Sequence, residues 1–324
     1  MKIADMHCDT VEKLYHGYGD SLISNDLHLS VEGMRKGDYL LQNFAVFVDR
    51  KETADPTRTA LEMISQYRRE LGKAAAYLRE ARSYEEVEEN QRRGRMSAVL
   101  TLEEGAVLGG RLENLQKFYD LGVRMMTLTW NYENELGAPN LMWDGEGRPR
   151  FQERSSRGLT SFGIQAVEEM ERLGIIPDVS HLSDGGFLDV AAHTKKPFVA
   201  SHSNAQAVCN VCRNLTDSMI RTLGERGGVA GINFCEDFLT CRTERSEQTV
   251  MEAVVAHICH MVDAGGIEVC ALGSDFDGIE GNRAITGARD MQKLVYALKK
   301  AGFLPSQIEK ICSGNVLRVY REIL

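Results

Sequence analysis

No stretch of this chain approaches the unbroken apolar run that a membrane-spanning helix requires, so a bilayer protein of that type is excluded. Basic charge is in deficit too. Against 47 Asp and Glu stand 38 Lys and Arg, and the net charge of −9 argues against nucleic acid or an acidic membrane surface as partner, leaving a small neutral or zwitterionic substrate as the expectation. The opening residues, MKIADMHCDT, lack an apolar core behind basic residues, which points to the cytoplasm. Without an export signal the eight cysteines read as reduced thiols, most of them buried. Cys209 and Cys212 form a CxxC with no second pair beside it, and packing explains it better than zinc or redox chemistry. No internal repeat, low-complexity tract or linker divides the sequence, so residues 1–324 read as one catalytic domain, a length that a single α/β barrel can fill.

What is present is alternation. Short β-branched or apolar runs (KIADMHCDT, LLQNFAVFVD, MSAVLTLEEG, VRMMTLTWN, IIPDVSHLS, PFVASHSNA, GVAGINF and VCALGSDFDG) are separated by amphipathic segments, and eight such units predict a TIM-like (β/α)8 barrel. Helical spacing covers 57–80, 161–173, 217–226, 247–264 and 287–301, with Gly174, Gly227, Gly228 and Gly302 as stop signals. The tail 304–324 reads as two short helices broken at Ser313–Gly314–Asn315, a C-terminal extension that closes the structure. Residues 133–157 form the longest aperiodic stretch, read equally well as an active-site cover or a disordered surface insertion.

In such a barrel the reactive groups sit where strands end. Here those ends carry His7 and Asp9, Glu103 and Glu104, His181, His202, and Asp275 and Asp277, all on one rim. Alternate strand residues face the interior, so Val179 with His181, Ala200 with His202, and Gly273 with Asp275 are expected to point inward. Glu103 is favoured as the inward carboxylate of its strand, although a slip of one residue would exchange it for Glu104.

Three histidines and two or three carboxylates exceed what one tetrahedral zinc with an open position needs. Two ions are more natural, with His7, Asp9 and Glu103 on one, and Glu103, His181 and His202 on the other, sharing a water that becomes a hydroxide near neutral pH. Taken singly, each histidine would be read as a hydrogen-bonded residue rather than a ligand; the coincidence of three at strand ends carries the argument. His257 and His260 fall outside it, on a helix face that is better read as packed or solvated. Asp275 is placed to move a proton from the water to the leaving amine, and Asp277, just before Gly278, to shape a turn. Arg213 in NVCRNLTD offers a planar fork for a substrate carboxylate, or is simply a surface charge.

The ordered set DMHCDT, LEEG, TLTWN, LTSFG, DVSH, SHSNA, RN, NF and GSDFDG resembles the membrane (renal) dipeptidases, a branch of the metal-dependent amidohydrolase barrels, from about residue 3 to the terminal GNVLRVY. That resemblance implies a binuclear zinc site in which His7 and Asp9 hold one ion, His181 and His202 the other, and Glu103, rather than Glu104, bridges. It implies that Asp275 handles protons, that Arg213 binds the terminal carboxylate of a dipeptide, and that the chain is a homodimer. It also implies cleavage of dipeptides, often with a D-residue on the C-terminal side, and in some members opening of β-lactam rings. The chain departs from the pattern at Trp130, where some members carry a histidine that helps to stabilise the tetrahedral intermediate; oxyanion stabilisation then falls to the metals or another donor, and Trp130 becomes a substrate-binding wall. The rival readings are a related barrel hydrolase acting on another small amide or N-acyl amino acid, and a barrel that only binds peptide or metal.

Overall fold

Eight parallel strands lie at the positions of the eight apolar runs: β1 (Ile3–Asp5), β2 (Tyr39–Phe47), β3 (Met96–Glu103), β4 (Val123–Thr127), β5 (Ile176–Asp178), β6 (Val199–Ala200), β7 (Val229–Ile232) and β8 (Cys270–Leu272). They belong to a computed structural model that describes residues 1–324. Each strand pairs with its neighbour in chain order and β8 returns to β1, with Asp5 opposite Leu272, so the sheet closes into a TIM barrel. A further short strand, Leu78–Glu80, adds to β3 on the outside.

The helices between strands begin where the sequence supplies caps. Thr160, Ser183 and Thr216 each accept a hydrogen bond from the backbone N–H three residues on, starting the helices Ser161–Leu173, Asp184–His193 and Asp217–Glu225. Their apolar stripes pack on the outer face of the barrel in one large core that includes Phe118, Val167, Phe187, Ile220 and Ile258.

The inner face is a separate, smaller core. It draws on every strand, through Ala4, Leu41, Val99, Met125, Ile176, Val199, Val229 and Ala271, and includes Val316, Val319 and Tyr320. Those last three belong to the helix Asn315–Ile323, which plugs the barrel floor; the Tyr320 hydroxyl donates to Asn43 Oδ1 at 2.6 Å. Gly273, just past β8, lies where the backbones crowd: a Cβ there would stand 1.7 Å from the Ser201 carbonyl oxygen.

Several expectations need correction. The helix expected over 57–80 stops at Ala74, and the edge strand takes its last residues. The tail is not broken at Ser313–Gly314–Asn315; the segment Lys310–Gly314 widens into a π-helix that runs straight into Asn315–Ile323. Val179 and Ala200 do not face inward. Both belong to the outer core, and the interior positions of their strands are Ile176 and Val199. Residues 133–157 pack against the barrel's strand ends: Met142–Trp143 and Pro149–Arg150 pair as a hairpin, and Asn140 and Arg154 both donate to Asp184. No helix is long and apolar enough to cross a membrane.

His257 is buried and structural, as its helix position suggested. Its Nδ1 accepts from the Ala205 N–H and its Nε2 donates to the Leu239 carbonyl, each at 3.0 Å, and burial pushes its pKa down to about 4. The unfolded chain therefore binds a proton that the folded chain refuses between pH 6.5 and about 4, and stability falls as pH falls through that window. Thermal melts of His257→Gln should show lower stability at pH 7 and a shallower pH dependence between pH 6.5 and 4, by up to about 1.4 kcal/mol per pH unit.

Candidate metal centre

The chain leaves regular strand geometry just above the barrel, and this is what aims the polar side chains. His181 and Asp275 adopt left-handed backbone angles, φ 68° and 61°, which turn them over the axis although their strands ended at Asp178 and Leu272. For residues other than glycine such angles cost about 1–3 kcal/mol each and persist only where surroundings impose them. Asp9 is accommodated by Gly278, where a Cβ would lie 2.1 Å from Asp9 Oδ2.

Glu103 stands at the centre. Its Oε2 is 3.0 Å from His7 Nε2, while its Oε1 is 3.2 Å from His181 Nε2 and 3.7 Å from His202 Nε2. His7 Nε2 lies 3.4 Å from Asp9 Oδ2 and 3.8 Å from Asp275 Oδ1. All five residues, together with Asp275, are 9% exposed or less. The structure thus brings together every residue that the sequence placed at the metal site. Glu104 turns away, accepting from Asn134 Nδ2 and the Trp130 N–H, and burial raises its pKa to about 7.

The donor atoms are aimed but not hydrogen-bonded. Both ring nitrogens of His7, Asp9 Oδ1 and Glu103 Oε1 are buried without a hydrogen-bonding partner. The two remaining histidines show why. His202 Nδ1 is 2.7 Å from Ser201 Oγ, whose proton goes to Asp178 Oδ2 at 2.5 Å, so His202 is the donor in that contact and its Nε2 carries a lone pair. His181 Nδ1 likewise faces Asn131 Oδ1 at 3.0 Å, which leaves a lone pair on its Nε2. These two Nε2 atoms confront each other across 3.0 Å. Opposed lone pairs in a buried site repel unless a cation lies against both, so the residues present fit a metal, and a mixed imidazole and carboxylate set suits zinc.

The protonation pattern agrees at His181 and His202. Burial holds the His181 pKa down to about 4, aided by the Arg213 cation, and keeps His202 well below the ordinary value. Burial opposes charge on His7, but Glu103 and Asp9 override it and raise His7. Asp275 is pushed up to about 8 by burial and by the neighbouring Asp9 and Glu103 carboxylates.

Arg213 is 4% exposed, with long contacts to Ser203 Oγ at 3.4 Å and the His202 carbonyl at 3.3 Å, and its Nε lacks a partner. A surface charge is thereby ruled out. Trp130 borders the centre, its ring 6.4 Å from that of His181. Asp277 is a turn residue: it accepts from the Thr10 hydroxyl and the His28 N–H. Cys209 meets Cys241 rather than Cys212.

The model of the membrane dipeptidase family, peptidase family M19, matches residues 1–324. The chain belongs to this family. It is therefore a hydrolase, a metal-dependent dipeptidase built on a TIM barrel. It is 31% identical over 269 residues to an uncharacterized protein in the pqqA 5' region of Klebsiella pneumoniae, covering 83% of this chain and 97% of the relative. It is 31% identical over 310 residues to an uncharacterized dipeptidase of Schizosaccharomyces pombe, covering 91% of this chain and 72% of the relative. Among solved structures it is similar to a metallopeptidase dipeptidase of family M19, with TM-score 0.91 and 28% identity over 100% of this chain and 98% of the other. It is similar too to a metallopeptidase from Rhodobacter sphaeroides holding a phosphinate mimic of L-Ala-D-Ala, with TM-score 0.91 and 26% identity over 100% of this chain and 99% of the other.

Four supporting residues escaped the sequence reading. Asn131 fixes the His181 ring, and Asp178 and Ser201 fix that of His202. Asn233 donates to Asp275 Oδ2 at 2.8 Å. The available signal was position, since each is a polar residue on the same strand end as a named one or on the neighbouring strand. In the metal-binding dipeptidase, Ser201→Ala should weaken metal affinity by about 10–100-fold, measured by competition with a chelator, with the fold unchanged by circular dichroism.

Proposed function

We propose that this chain is a two-zinc dipeptidase that cleaves the single peptide bond of a free dipeptide, substrates with a D-residue on the C-terminal side included. The observation that carries the two-ion reading is Glu103, whose two oxygens point to different histidines, Oε2 toward His7 and Oε1 toward His181 and His202. His7, Asp9 and Glu103 would hold one zinc, and Glu103, His181 and His202 the other. The phosphinate mimic of L-Ala-D-Ala in the Rhodobacter sphaeroides relative supports the substrate class.

When bound, the ions supply Lewis acidity at the scissile carbonyl and acidify a water toward neutral pH. The protein's own residues do the rest. Arg213, a buried cation with no carboxylate partner, takes the terminal carboxylate of the dipeptide and so sets which bond lies over Glu103. Asn233 holds Asp275 Oδ2 and leaves Oδ1 facing the centre, where, as a carboxylate once bound cations offset the neighbouring Asp9 and Glu103 charges, it accepts the proton of the attacking water and delivers it to the departing amine nitrogen. Trp130 walls the site beside His181 and excludes water.

Asp275→Asn should keep about two zinc ions per chain by elemental analysis while turnover of a dipeptide falls about 10²-fold or more; full activity would refute the proton-handling role. Arg213→Met should raise KM for dipeptides about 10–100-fold with a smaller change in kcat, and should spare substrates that lack a free carboxylate. Removing metal with a chelator should abolish hydrolysis, and zinc should restore it.

A further inference from the structure

The aromatic residues of the barrel mouth gather on one side of it. Phe47 ends β2, Trp130 and Tyr132 follow β4, and Trp143 stands on the hairpin above them. Phe47 and Trp130 meet at 4.8 Å between ring centroids, Trp130 and Tyr132 at 5.5 Å, and Tyr132 and Trp143 stack at 5.5 Å with planes 19° apart. The indole N–H of Trp143 donates to the Asn131 carbonyl at 2.9 Å, fixing the hairpin to the wall. Because Trp130 lies 6.4 Å from the His181 ring, the wall begins at the metal centre itself. Its rings are not sealed in the core: Phe47, Trp130 and Tyr132 are half-buried and Trp143 is 40% exposed. Lys51 caps it, with Nζ 3.6 Å from the Tyr132 ring centroid and 5.6 Å from that of Trp143.

The barrel's own order says what meets this wall. With eight strands in sequence, β2 stands opposite β6, and Arg213 lies in the segment that follows β6. A dipeptide that rests its carboxylate on Arg213 and its scissile bond at Glu103 sends the side chain of its N-terminal residue toward Phe47 and Trp130. Covering half-exposed aromatic faces rewards a large apolar side chain, and the Lys51 ammonium at the rim repels a cationic one.

We propose that Phe47, Trp130 and Tyr132 form the surface that recognises the residue on the N-terminal side of the scissile bond, selecting aromatic and large aliphatic side chains over small ones and disfavouring cationic ones. This rests on the dipeptidase reading with Arg213 as the carboxylate anchor.

The zinc-loaded full chain is tested on two dipeptide series, X-Ala and Ala-X, where X is Gly, Ala, Leu, Phe or Lys. Expected are kcat/KM values about tenfold or more higher for Phe-Ala and Leu-Ala than for Ala-Ala, Lys-Ala the poorest of the non-glycine set, and a flatter Ala-X series. Phe47→Ala, or Phe47→Leu if the first fails to fold, should shrink the Phe-Ala to Ala-Ala ratio at least threefold through KM, and Lys51→Met should raise Lys-Ala relative to Phe-Ala. The chain's two tryptophans are both in the wall, so their emission reads occupancy without turnover. A phosphinate mimic of Phe-Ala should shift it to the blue more than a mimic of Ala-Ala. Cleavage of Ala-Ala with no preference in the X-Ala series, a ratio that survives both Phe47 variants, or control by the C-terminal residue would overturn the wall. Failure to cleave any dipeptide would overturn the dipeptidase reading and the wall with it.

Discussion

Two neutral imidazoles facing each other, nitrogen to nitrogen, inside a protein form an arrangement that the chain alone does not stabilise. His181 and His202 present their Nε2 lone pairs to one another at 3.0 Å, with the Glu103 carboxylate against both. Each ring is locked from behind, one by Asn131 and the other by Ser201 and Asp178, so neither can rotate to relieve the contact. The left-handed backbone at His181 and Asp275 adds strain in the same place. The rest of the structure, a barrel packed on both faces and plugged at its floor, supplies the rigidity that holds these groups in place until a cation is bound.

Much of this was legible in the sequence, for a physical reason. A parallel strand buried on both sides reads as an apolar run, and eight such runs found eight strands. Polar residues at the ends of those runs have few structural uses, which is why His7, Asp9, Glu103, His181, His202 and Asp275 could be gathered on one rim without coordinates. The alternation argument was sound for Glu103, which shares the inward face of β3 with Val99, and failed for β5 and β6. There Val179 and Ala200 pack outward, and His181 reaches the axis because the chain turns after the strand, not because of its pleat. Local turn geometry of that kind leaves no periodic trace. The π-helical segment at Lys310–Gly314 was misread for a related reason: Gly314 and Asn315 suggest a break, but the burial of Ile311, Cys312 and Val316 keeps the helix going.

Arg213 shows how structure alters the weight of a residue. On the sequence it balanced between a surface charge and an anchor. Buried, without a carboxylate within ion-pair reach and with Nε unpartnered, it is a costly group to keep unless something anionic visits it. Trp130 gains weight in the same way, through contact with His181 on one side and Phe47 on the other.

Asp178 accepts four hydrogen bonds at once, from the Thr127 hydroxyl, the Ser180 and Ser201 amides and the Ser201 hydroxyl, and so ties β4, β5 and β6 to a single carboxylate. His181 and His202 therefore rise from one small platform, and the spacing of their facing nitrogens is set by a single buried side chain.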